Sequence, residues 1–344
     1  MKIAINFKTL EIPYGGGNNF CKNLIDYLLK NKIQITKSLK DKNIDIILIL
    51  DPRRNHPQST FSILNIWFYQ KFINPKVVVI HRINECDERK KTKNINSMLK
   101  NANFFSDHTV LVGSWLKKLD IIHNPKNYNI STILNGANSK IFLDPRSDTI
   151  IKNIKKFKIV THHWSNNEMK GFDIYRKIDI MLKDPKWNSL IEFTYIGNIP
   201  PGFKFQNSHY ISPLNNEMLA KELSKHHIYV TASINEPGSN HQNEGAMCGL
   251  PLLYRESGCL PEYCAGFGES FNLSSFEGKL KLIINNYKKY KLIVKNYPHN
   301  SNKTNSEYIK LFTKLIQSRE ELIKNREYLK LNFNVFIKLL KSLF

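Results

Sequence analysis

Hydrophobic and polar positions follow two periods along the chain. Short apolar runs rich in β-branched residues read as strands at 2–7, 45–50, 77–80, 107–112, 130–134, 157–161, 193–196, 228–233 and 252–254. Segments with helical spacing lie between them. One runs through about Lys30 with Phe20, Leu24, Tyr27 and Leu28 on one face, after a cap at Asn18 or Asn19. Others cover 61–72, 90–102, a stretch from about Asp173, and 215–225 with Asn215 or Asn216 as cap. A further helix is capped by Asn240, carries Glu244 and the small residues Gly245, Ala246 and Gly249, and is ended by Pro251. Strand and helix alternate twice over with a break near residue 150, which predicts two doubly wound α/β halves.

From about Gly278 the pattern changes to helix, rich in lysine and poor in acids. Tyr308, Phe312, Leu315, Ile316, Leu322 and Ile323 keep helical spacing. Residues 328–344 form a second amphipathic run, with Phe333, Phe336, Ile337, Leu340 and Leu343 among Lys330, Lys338 and Lys341. Two readings stand: helices that cover the second domain, or a helix lying on a membrane surface, since lysine and Phe/Leu segregate here. No apolar run approaches the ~20 residues a membrane helix needs. The opening MKIAINFKTL alternates like a strand and lacks a signal peptide's apolar core and cleavage site. The expectation is a cytoplasmic chain, with peripheral contact to a membrane left open.

Length and composition sharpen this picture at few points. At 344 residues, 41% of them apolar, the chain holds enough for two cores. Cys21, Cys86, Cys248, Cys259 and Cys264 are odd in number and form no C-x-x-C pair, which indicates neither a disulfide framework nor a zinc site. A net charge of +22 fits an anionic substrate, an anionic membrane surface or nucleic acid, and fits equally a compositional bias towards Lys, Asn and Ile. No RNP-like sequence, C2H2 spacing or basic zipper accompanies it, so nucleic acid is not the expected partner.

Candidate chemistry gathers in four places. Glu236 and Glu244 have seven residues between them, across a loop and a helix start. A helix N-terminus suits a phosphate, and a carboxylate suits a pair of sugar hydroxyls; together they describe a nucleotide sugar. The same spacing also fits an ordinary βαβ unit with two solvated glutamates. Gly15, Gly16 and Gly17 follow the first strand, where backbone can approach a phosphate. A buried strand at 77–80 runs into His81, at the strand end where α/β sheets bind ligands. Finally, His162-His163-Trp164-Ser165 open a loop that ends on Lys170-Gly171.

The letters around the two glutamates carry more weight than their spacing. Glu-Pro-x-Ser-Asn, Glu-Gly-Ala-Met-Cys-Gly-Leu-Pro and Ser-Gly-x-Leu-Pro-Glu resemble the donor-site signature of retaining glycosyltransferases of the GT-B fold, family-4 type. Glu236, Glu244, Ala246, Gly249, Pro251, Ser257, Gly258 and Glu262 match it in order. Asp107 to Val112 with Ser114, then Asn135-Gly136-Ala137-Asn138 and Phe142, resemble its further motifs, the second of which closes the first domain. Residues 143–154, with Pro145, then read as the linker. The resemblance implies a GT-B fold, two Rossmann-like domains facing across a cleft, at 1–147 (acceptor) and 148–310 (donor). Helices follow at 311–344, with a crossing back to the first domain.

It also implies a hexosyltransferase that needs no metal or other cofactor and moves a sugar from a nucleotide diphosphate to a glycan, lipid or protein acceptor. Glu236, His81 and Lys170 are the implied catalytic residues. Gly16, Gly17, His163, Ser165, Lys170, Gly197, Ile211, Glu236, Asn240, His241 and Glu244 are the implied donor-binding residues. Lys170 would neutralise the leaving diphosphate. The family's arginine, five residues before that lysine, falls on Ser165; His162 and His163 are the nearest substitutes, and a histidine holds charge only near or below about pH 6.5. The competing reading is a catalytically weak protein of the same fold that binds nucleotide, glycan or nucleic acid.

Overall fold

The computed structural model describes residues 1–11, 15–123, 129–144, 154–324, 326–330 and 332–342. Most of the expected linker at 143–154, and the boundary at 147, lie outside the described residues. The chain divides into two compact units. The first comprises Met1–Glu11, Gly17–Leu134 and Lys303–Phe344, the second Ile12–Gly16 and Asn135–Asn302.

The first unit is built on β1 (Lys2–Ile5), α1 (Gly16–Lys30), β2 (Gln34–Thr36), β3 (Ile46–Ile49), α2 (Ile63–Phe68), β4 (Val78–Ile83), α3 (Ile95–Asn103), β5 (His108–Leu111) and β6 (Ile130–Thr132). The strands form one parallel sheet in the order β2-β1-β3-β4-β5-β6. The second unit holds β7 (Phe157–His163), α4 (Phe172–Met181), α5 (Pro185–Leu190), β8 (Ile191–Gly197), β9 (His209–Ile211), α6 (Asn216–Leu223), β10 (Ile228–Thr231), α7 (His241–Met247), β11 (Leu252–Arg255), α8 (Leu260–Cys264), β12 (Gly268–Phe271), α9 (Phe276–Asn285) and α10 (Tyr287–Val294). Its sheet is also parallel, in the order β12-β11-β10-β7-β8-β9. The fold is therefore α/β with two Rossmann-like halves.

Each sheet is covered on both faces, which is why its strands read as continuous apolar runs rather than alternating ones. Ile3, Ile5, Leu48, Ile80 and Val110 pack with Leu24 of α1 on one side of the first sheet. Ile47, Ile49, Val79 and Trp67 build the other side. In the second unit Ile159, Phe193, Val230 and Leu253 pack with Phe172, Tyr175 and Ile178 of α4 and with Phe276 and Leu280 of α9.

The chain after Asn302 belongs to the first unit. It contains most of α11 (Ser301–Gln317), then α12 (Arg319–Lys324) and α13 (Phe333–Lys341). Tyr308, Phe312 and Leu315 enter the core beside Ile3 and Ile5. Arg326 is buried, donates from Nε to Asp107 Oδ1 at 2.7 Å and caps the Val77 carbonyl; Tyr328 donates to the same carboxylate at 2.6 Å. A buried pair bonded on every side holds this tail segment against the sheet.

Several expected elements are redrawn. Helix α1 starts at Gly16, and Asn18 does not cap it: its side chain accepts from Leu10 N–H at 2.8 Å and donates back to the Leu10 carbonyl. The helix expected at 90–102 begins only at Ile95, because Asp87 accepts from Thr92 Oγ1 and from the N–H groups of Ile95 and Asn96, so 90–94 are spent in a turn. The helix at 61–72 is capped by Ser62 and passes after Phe68 into a π-helical turn, Tyr69–Ile73. Strand β5 leads into a 3₁₀ turn, Ser114–Lys118, rather than an α-helix.

Candidate functional site

The second sheet reverses its order between β7 and β10, and the crevice at the carboxyl ends of such a pair is where doubly wound sheets take ligands. The polar residues of the second unit converge there. His162 and His163 are not loop residues, as expected, but the last two residues of β7, both buried. Register puts His163 opposite Gly197, so the histidines sit where β7 ends beside β8.

Two buried acid–base pairs line this end. Lys170, the last residue of a 3₁₀ turn (Glu168–Lys170), donates from Nζ to Glu236 Oε2, and both side chains are buried. His162 Nε2 lies 2.7 Å from Glu244 Oε2. On its other nitrogen, Nδ1 is 3.1 Å from the Tyr229 hydroxyl, which also accepts from the His162 backbone N–H at 3.2 Å. Of the hydroxyl's two acceptors, Nδ1 is nearer than the His162 carbonyl at 3.4 Å; donation to Nδ1 leaves the Nε2–H for Glu244.

Two more histidines stand close by. His163 Nε2 is 2.7 Å from the Tyr175 hydroxyl, and the His163 and His241 rings meet edge to face at 4.5 Å. His241 Nε2 is 2.7 Å from Thr231 Oγ1. Burial holds the His163 pKa well below the ordinary histidine value, helped by the charges His241, Lys170 and His162 would carry. His163 is therefore a neutral hydrogen-bonding group and cannot serve as the cation expected in the arginine's place.

Backbone devices hold the loops in register. Gly258 has φ +57°, and a Cβ there would come within 2.5 Å of Glu236 N; Cys259 N–H donates to the Glu236 carbonyl at 2.9 Å. Gly197 has φ +131°, and a Cβ would lie 1.9 Å from the His163 carbonyl oxygen. Both positions need glycine. Asn135 donates to the Gly238 carbonyl at 2.6 Å, tying down the loop before α7.

Other candidates are placed as follows. Asn240 is the residue before α7 but makes no capping bond to the helix backbone; its Oδ1 accepts from Asn243 at 3.2 Å. Seven residues long, α7 carries Glu244 in its first turn. Ser165 is part-buried and accepts the Asn167 N–H at 3.3 Å, so a turn occupies the place of the expected arginine. Ile211 ends β9. Gly16 opens α1 in open space, and in the first unit a Cβ on Gly17 would be 3.7 Å from Asn84 Nδ2. His81 lies inside β4, which continues to Ile83 rather than ending before it. It is fully buried, neither ring nitrogen finds a hydrogen-bond partner, and burial pushes its pKa down to about 3, against the opposing charge of Asp51.

Tyr229, Thr231, Tyr175 and Asn135 were not singled out from the sequence as site residues. Each reads as strand, core or turn, and only topology brings their polar tips to this end. Among the described residues no cluster of three or more His, Cys, Asp or Glu side chains is arranged to hold a metal ion.

At the level of sequence no family model matches this chain, and no curated protein does. Solved structures do match in fold. HepE from Anabaena, crystallised with UDP and glucose, is 12% identical, with a TM-score of 0.65 over 92% of this chain and 100% of its own. Sucrose-phosphate synthase from Thermosynechococcus elongatus is 12% identical, with a TM-score of 0.63 over 92% of this chain and 99% of its own. The lipopolysaccharide outer core galactosyltransferase WaaB, also 12% identical, gives 0.58 over 92% and 100%. The likeness spans both units and shows the fold, that of GT-B glycosyltransferases.

Proposed function

We propose that the protein is a glycosyltransferase that takes its sugar from a nucleotide diphosphate donor bound at the carboxyl end of the second sheet. The observation that carries this reading is the pairing of Lys170 with Glu236 and of His162 with Glu244 at that sheet's switch point. Buried charges cost several kcal/mol each to desolvate, so two such pairs in one crevice support a ligand that uses them. That HepE has been solved with UDP and with UDP-glucose supports the same donor class here.

The donor exchanges partners with the resident pairs. Sugar hydroxyls donate to Glu236, which frees the Lys170 ammonium for the diphosphate. Glu244, steadied by His162, accepts from the two ribose hydroxyls. Backbone around Asn240 and His241, at the start of α7, adds N–H groups beside the phosphates. Gly197 and Ile211 place backbone next to the nucleotide. In a retaining transfer the bond from the anomeric carbon to phosphate oxygen breaks while a bond to the acceptor oxygen forms on the same face. The acceptor's proton passes to the leaving phosphate, so no separate base is required and Lys170 stabilises the growing negative charge. In the first unit, the two unpartnered ring nitrogens of His81 support a polar ligand group at β4; at the start of α1, Gly16 and Gly17 leave backbone accessible.

A second reading is favoured by Ser165: a catalytically weak protein of this fold that binds nucleotide, glycan or nucleic acid. The two are separated by thermal shift and donor turnover across UDP-, GDP- and ADP-sugars, with Glu244→Gln and Lys170→Met beside the wild type. The transferase reading expects one donor to raise Tm and be turned over, and both variants to lose this. A donor that binds without turnover favours the second reading. Binding that survives both substitutions sinks the proposed site.

A further inference from the structure

Helix α13 carries two apolar stripes. Val335 is buried and Leu339 part-buried against Ile63, Trp67 and Phe104, which docks the helix on the first unit. The second stripe, Phe333, Phe336 and Leu340, follows i, i+3, i+7 spacing and is 78%, 57% and 42% exposed. Two exposed phenylalanines and a leucine on one helical stripe are more than scattered surface apolar residues account for. The preceding segment is tied to a second exposed aromatic set. Trp67 Nε1 donates to the Tyr328 carbonyl at 2.9 Å and Lys71 Nζ to the Leu329 carbonyl at 2.6 Å, while Phe68 and Phe72 on the same stretch stand exposed with rings 5.0 Å apart.

The charge that this helix itself carries has one sign. α13 contains no acid, and Lys338 and Lys341 lie in its last turn. Its end borders a pocket of about 380 Å³ lined by Arg53, Arg54, His56, Asn101 and Lys341. Asp51, two residues before Arg53, is buried and bonded to it. At nine residues α13 is too short to span a bilayer, and among the described residues no helix is long and apolar enough to do so.

We propose that α13 and the Arg53–Arg54 loop dock the first unit on a membrane surface bearing anionic lipids. Phe333, Phe336 and Leu340 enter the acyl boundary, and Arg54 and Lys341 meet the headgroups. A second copy of this chain is a poor occupant, since it would set the same cations against each other on a protein of net charge +22. The inference is independent of the transferase reading, which uses none of these residues.

The test is co-sedimentation of the full chain with vesicles of phosphatidylcholine alone or mixed with phosphatidylglycerol. Binding should be about tenfold stronger or more on the anionic vesicles and weaken as salt is added. The variant Phe333→Ser/Phe336→Ser/Leu340→Ser should lose about tenfold or more while its Tm holds, because these side chains face solvent. Arg54→Glu/Lys341→Glu should erase the preference for anionic lipid. Attraction by net charge alone would leave the serine variant bound, and that result overturns the proposal. So does equal binding to neutral vesicles, or a wild type that ignores vesicles yet forms dimers that the serine variant dissolves.

Discussion

The two sheets follow one plan and finish their switch points differently, though the first also keeps an ion pair, Arg53 with the buried Asp51. In the first, the order reverses between β1 and β3, and Asn6, the residue after β1, stitches the two ends together. Its Oδ1 accepts from Leu50 N–H at 2.7 Å and its Nδ2 donates to the Asp51 carbonyl at 2.7 Å, with the side chain buried. In the second, the order reverses between β7 and β10, and the strand ends carry the Lys170–Glu236 and His162–Glu244 pairs. An amide whose oxygen and one N–H are bonded to backbone has only one N–H left to offer a ligand. Ion pairs can trade partners. The comparison teaches that a shared crevice is not a shared site: what matters is whether the polar groups there are committed to backbone or to one another.

The comparison breaks most sharply at Lys170. Lys170→Ala leaves Glu236 buried and uncompensated, which should cost about 3–5 kcal/mol of stability, read as a drop in the urea midpoint. Lys170→Met/Glu236→Leu should recover most of that loss while nucleotide binding stays absent. Recovery of both would mean the pair serves only the fold. In the first unit, Asn6→Ala should cost about 1–3 kcal/mol by orphaning buried backbone groups. There, titration with nucleotide should be unchanged in the folded variant. A folded Asn6→Ala that no longer binds nucleotide would refute the contrast between the two crevices.

Acid should weaken both units for one reason. Burial lowers the His163 and His81 pKa values, the latter to about 3, so both rings stay neutral in the fold while the unfolded chain protonates near 6.5. The unfolded state then binds more protons, and stability, fully present above 6.5, is lost as pH falls towards the folded values. From pH 6.5 to 5 His81 should remove up to about 2 kcal/mol, and His163 acts in the same direction. Urea midpoints at pH 7.5 and 5 measure the sum, to which His108, pushed down to about 4 chiefly by burial, also adds, so His81→Phe should remove only part of the first unit's share. A midpoint that rises on acidification would contradict both assignments.

Strand positions were largely legible because parallel strands covered on both faces are apolar throughout, as at β3 and β4. What misled was where polarity begins. His162-His163 and His81-Arg82 look like loop openings, yet β7 and β4 run through them. Tyr229 and Tyr175 hydroxyls satisfy the first two, and Arg82 lies over the Phe20 ring at 3.8 Å. Long-range partners of this kind leave no local signal. The same holds for Asp87, which starts α3 from eight residues upstream. The two glutamates and Lys170 were legible as candidates, but that Lys170 pairs with Glu236 and His162 with Glu244 is a property of the closed sheet, 66 and 82 residues apart in sequence.

The finest probe of the contrast is Tyr229, whose hydroxyl meets the second crevice through His162. Burial holds its hydroxyl pKa well above the ordinary value, so the proton stays on throughout the working range. It can therefore donate to His162 Nδ1 and keep Nε2–H aimed at Glu244. Tyr229→Phe removes that donor without changing the ring that packs under α7. The loss should be about 1 kcal/mol in stability. Glu244 would then be held by an imidazole free to turn, and nucleotide affinity should fall about fivefold, a loss of about 1 kcal/mol, as a higher KM with kcat unchanged. His162→Gln, which still offers an N–H to the carboxylate, should restore part of that affinity in the phenylalanine background. If kcat falls instead and KM holds, the pair acts at the reacting bond, and Glu244 is not a handle on the ribose.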